Sequence, residues 1–186
     1  MDSDLDIKIF APETPAQPSG EDLDSLAAQT EALRESGNLD RAKRLGRALA
    51  DYAAKAPELL ALAERCGFKL TPAREHQLNV LIVFSRQHAL RGILEPQLLA
   101  EAAITAMNNY LINHYKPFWD TISDSSAFTQ YLLAVRAPAS QEALAGLVGA
   151  AFAQRCGQED NPDLRALGAS VFSAARDRVA SQWAAG

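Results

Sequence analysis

A joint of one design occurs twice in this chain: Arg65-Cys66-Gly67 precedes Pro72 at the same interval at which Arg155-Cys156-Gly157 precedes Pro162. The glycine suits the left-handed residue just past a helix end. Thr71 or Asn161 can cap the next helix, and the proline fits its first turn. A chain punctuated this way is read as helices joined by tight turns. Ala61, Ala63, Arg65 and Arg86 also meet Ala151, Ala153, Arg155 and Arg176 at the same offset, which suggests two related helical hairpins over residues 50–91 and 140–181.

The punctuation extends along the chain. Residues 1–20 hold Pro12, Pro15 and Pro18 and cannot sustain a helix, so they are expected to form a flexible or extended N-terminal arm. Its charge is acidic apart from Lys8, and Leu5, Ile7, Ile9 and Phe10 give it an apolar segment able to lie as a strand or clamp along the rest. From Glu21 the pattern turns helical, with Leu23, Leu26, Ala27, Thr30 and Leu33 on one face until Gly37-Asn38. The next helix, Leu39 to about Lys55, sets Ala42, Leu45, Leu49, Tyr52 and Ala53 in one sector and Lys43, Arg44 and Arg47 outside it. Pro57 opens a short helix to Gly67.

The helix after Thr71-Pro72 is apolar all round at Val80-Leu-Ile-Val-Phe84, which implies burial; flanking helical periodicity and the lack of a partner strand decide against a β reading. Glu95-Pro96 starts a long helix that Lys116-Pro117 ends, and Asp120 to Ser126 reads as a polar turn. Three more helices follow, around Phe128 to Val135, Ser140 to Cys156, and Asn161 onward. About eight helices make an all-α fold: an irregular multi-helix bundle or array built from helical hairpins, with residues 21–186 as a single domain.

Composition narrows function mainly by exclusion. At 186 residues and 48% hydrophobic content the chain can bury a sizeable core without a staple. The two cysteines are expected as free thiols, the longest apolar stretches are too short to span a bilayer, and the first residues lack a signal peptide's pattern, so a soluble cytoplasmic protein is expected. A net charge of −5 argues against nucleic acid and anionic membranes as partners. No phosphate-binding glycine loop, zinc-protease motif, Cys-x-x-Cys pair or nucleophile elbow is present, so nothing marks an enzyme and no catalytic residue is assigned. His76, His88 and His114 share no metal-ligand spacing; neither metal nor cofactor is expected.

Two clusters remain. Tyr110, His114, Tyr115, Phe118, Trp119 and Asp120 gather aromatic area and titratable groups where proline breaks a helix, an arrangement that can bind a small molecule or simply anchor a corner to the core. Arg41, Lys43, Arg44 and Arg47 form a basic face that can meet nucleic acid, an acidic partner segment, the chain's own acidic arm, or only water, which is the commonest use of such a face. The leading expectation is a non-enzymatic protein-interaction or adaptor module, with a protein partner or self-association. The alternative is a small-molecule-binding regulatory domain with its pocket at residues 110–120. The Ala- and Gly-rich helix containing Gly146 and Gly149 is expected to let a neighbouring helix of the same chain approach closely.

Overall fold

Apolar periodicity decides how α2 (Asn38–Lys55) packs: Ala42, Leu45, Gly46, Leu49, Ala50 and Ala53 fall on one stripe and are all buried. The computed structural model describes residues 20–69, 71–123, 126–136 and 139–186. Among them the chain is all-α, with nine helices and no strand. The arm expected over residues 1–20 lies outside the described residues except for Gly20, which opens α1 (Gly20–Glu35).

The other helices are α3 (Pro57–Arg65), α4 (Pro72–Ile93), α5 (Gln97–His114), α6 (Lys116–Ser123), α7 (Ala127–Ala134), α8 (Gln141–Arg155) and α9 (Pro162–Ala185). α4 occupies the middle. Its residues 80–86 are buried without interruption, so the apolar run that periodicity alone left open is a helix enclosed on every side. On one side α9 lies along α4 and α8 along α9; on the other, α5 contacts α4 and carries α2. α6 and α7 also lean on α4, while α1 rests on α2 with Leu23 and Leu26 exposed.

Both repeated joints close in the same way. Gly67 (φ 66°) donates its N–H to Glu64 O and Phe68 to Ala63 O; Gly157 (φ 69°) donates to Gln154 O and Gln158 to Ala153 O. These pairs satisfy the last carbonyls of α3 and α8 through a left-handed residue, where a Cβ would be strained. Thr71 and Asn161 cap the following helices through their side-chain oxygens, and Ser140 caps α8. The likeness ends at the turn: α8 lies along α9, whereas α3 does not lie along α4 and touches α9 instead.

One local expectation needs correction. The stretch around Asp120 is not a polar turn but part of α6. The break falls at Tyr115, with φ −135° and ψ 45°; Pro117 has no N–H to continue the α5 ladder and occupies the second position of a new helix, where that N–H is not needed.

Glycines set the two tightest helix pairs. A Cβ on Gly46 would collide with the carbonyl of Ala103, so α2 and α5 are in backbone contact there. On the other side, Gly149 meets the carbonyl of Arg165, and a Cβ on Gly168 would lie 2.9 Å from both Gly149 Cα and Phe152 Cβ. Close approach of α8 is therefore made within the chain and through Gly149. Gly146, with nothing within 4 Å of a Cβ, takes no part.

Candidate functional site

Because α2 meets α5 at Gly46 and Ala103, the polar flank of α2 stands beside an exposed strip of α5. Between them runs a groove of about 620 Å³. Its apolar lining comes from Leu39, Leu98, Ala102, Ala106 and Tyr110. Lys43 and Arg47 line its α2 side, and Thr105, Asn109, Asn113 and His114 offer polar groups from α5.

The groove brings together residues from both sequence clusters. Tyr110 and His114 stack with ring centroids 4.1 Å apart and an interplanar angle of 16°, and His114 Nδ1 lies 3.1 Å from Tyr110 O. The stack is built by i, i+4 spacing, which places both rings on one face of α5. Lys43 is only loosely held, 3.7 Å from Asp40. No carboxylate among the described residues pairs with Arg47. The groove's own acid, Glu101, is engaged by Arg91 at 3.2 Å, so the local charge in the groove is positive although the chain is acidic.

The remaining members of the two clusters are elsewhere. Tyr115 donates its hydroxyl to Asp51 Oδ1 at 2.5 Å and ties the end of α5 to α2. That hydrogen bond, followed by the one from Lys55, holds the Asp51 carboxyl below its usual range. Phe118 and Trp119 are half-buried against the core, and Asp120 accepts from Lys116 at 2.8 Å in solvent. On α2, Arg41 turns to the chain's C-terminal helix, stacking 4.2 Å above the Trp183 ring and donating to Trp183 O. With Arg41, Arg44 lines a second, smaller depression between α2 and α9.

Sequence reasoning named Arg86 only for its match to Arg176 and missed its burial. This residue is 2% exposed, donates to Leu49 O and stands 4.5 Å from the centre of the Tyr52 ring, while Arg178 stacks on that ring at 3.4 Å. The available signal was its position two residues past the all-round apolar run Val80–Phe84, where a long polar side chain that is buried must find partners. Neither cysteine is disulfide-bonded, and burial pushes the Cys156 thiol up to about 11. A thiol so placed is a packing residue at neutral pH.

Among the described residues no group of histidine, cysteine and carboxylate side chains could hold a metal, and no helix is long and apolar enough to cross a membrane. No protein-family model, curated protein or solved structure matches the chain.

Proposed function

We propose that the protein is a helical interaction module whose α2–α5 groove receives an acidic, apolar-interleaved segment of a protein partner. One observation carries this reading: Lys43 and Arg47 border an apolar floor whose own carboxylate is already engaged by Arg91. An extended peptide could place apolar side chains on Leu98, Ala102 and Ala106 and direct carboxylates toward α2. The groove is also long and exposed along Arg47, Thr105, Asn109 and Asn113, which suits a peptide better than a small molecule needing enclosure. On this reading the protein works without a cofactor in the cytoplasm, where its cysteines stay reduced.

Selection of a displayed random-peptide library on the full chain tests this. The expected result is enrichment of acidic, apolar-interleaved sequences that bind neither Lys43→Glu/Arg47→Glu nor the groove-filling Thr105→Trp. Failure to enrich such peptides, or equal binding to both variants, would overturn the reading.

A further inference from the structure

α1 stands out from the molecule with its apolar face bare. Residues 23–29 are exposed, and only toward the end of the helix does Leu33 pack against the core. Leu23 and Leu26, 52% and 47% exposed, share one face with Ala27 and Thr30. Asp24, Glu31 and Glu35 fall along one edge of that face. A helix of this length draws most of its stability from packing such a face, and the described residues of the same chain leave this one uncovered.

The α2–α5 groove is the matching surface. Leu39, Lys43 and Arg47 recur every fourth residue on its α2 side, and Leu98, Ala102, Ala106 and Tyr110 do the same on α5. Two such rows take the ridge of a third helix between them, and alanines at 102 and 106 let that helix come close. The free stretch of α1 from Leu23 to Glu31 is about 12 Å long and lies within the 24 Å or so from Leu98 to His114. With its leucines on the floor, its acidic edge can face Lys43 and Arg47. Glu31 pairs with Arg34, the one base of α1, but both are exposed, so the pair exchanges readily for Lys43 or Arg47.

No described residue of α1 lines the groove of its own chain. Each molecule thus carries one uncovered helix and one open groove, and two copies related by a two-fold axis satisfy both at once. We infer that the protein forms a homodimer by reciprocal exchange of α1, with Leu23 and Leu26 over the groove floor of the second copy and Asp24 and Glu31 toward its basic side. This names the partner for the groove proposed above and rests on that reading.

Sedimentation velocity of the full chain at micromolar concentration should give a dimer. Its dissociation constant should rise at least about tenfold in Leu23→Ser/Leu26→Ser and in Lys43→Glu/Arg47→Glu, and the second loss should be largely reversed when Asp24→Lys/Glu31→Lys is added. With p-benzoylphenylalanine in place of Leu26, photo-crosslinking of mixed isotope-labelled and unlabelled chains should join labelled to unlabelled molecules at residues 39–47 or 98–114. A monomer throughout, a dimer that these variants leave intact, or crosslinks confined to other surfaces or to single molecules would overturn the inference. If it fails while library peptides still bind the groove, only the exchange of α1 is lost; if both experiments fail, the groove reading falls with it.

Discussion

Phe68 and Phe152 meet with ring centroids 5.9 Å apart and planes tilted by 50°. Phe68 is the third residue past α3, just beyond Gly67, and Phe152 lies one turn before the end of α8. The two joints of common design thus touch in space, and the residue that completes the first turn packs against the helix that enters the second. Both rings are buried, Phe152 completely.

Phe152→Ala should therefore be among the most damaging single substitutions. It removes a fully buried ring that also contacts Gly168, and a cost of about 3–5 kcal/mol is expected. Urea unfolding followed by circular dichroism reads this as a lower midpoint at unchanged slope. A loss below about 1 kcal/mol would mean that the joints are not coupled through this ring.

The glycines of the helix pairs should respond with opposite signs. Gly46→Ala and Gly149→Ala force a Cβ into a neighbouring backbone carbonyl and should each cost about 1–3 kcal/mol. Gly146→Ala meets nothing and should stabilise α8 by about 0.5–1 kcal/mol through helix propensity and a less flexible unfolded chain. Thermal melts of the three variants check the order; a destabilised Gly146→Ala would contradict the assigned helix contacts.

His88 should make stability depend on pH. It lies against Phe84 and Phe172, and burial, then the charges of Arg91 and Arg176, lower its pKa. The folded state thus binds this proton less readily than the unfolded chain. The contribution of neutral His88 is fully present above the unfolded value near 6.5 and declines as pH falls from there toward the lower folded value. Urea midpoints at pH 7.5 and 5.5 should show a smaller acid loss in His88→Phe than in the unaltered chain. An equal loss in both would remove His88 as the cause.

Local chemistry explains which parts of this structure were legible in the sequence. Gly67, Gly157, Thr71, Asn161 and Ser140 act within a few residues of themselves, so their turns and caps can be read directly. Pro117 was ambiguous for the same local reason, since proline ends one helix and starts another equally well. The groove was not legible as a unit. Lys43 and Arg47 on one side, Tyr110 and His114 on the other, each stood out, but their meeting depends on the backbone contact of Gly46 with Ala103, across two intervening helices. Tyr115 and Asp120 were grouped with them by nearness in sequence. The helix break at Tyr115 sends the chain in a new direction, and their partners become Asp51 and Lys116.

The groove itself is tested most directly by amide NMR of the full chain, titrated with a nine-residue peptide alternating aspartate and isoleucine. Saturable shifts should concentrate on residues 39–47 and 98–114 and disappear when Lys43→Glu/Arg47→Glu is added. Shifts that instead cluster along the α8–α9 face around Gly146 and Ser173, or no saturable change anywhere, would show that α2 and α5 do not form the binding surface.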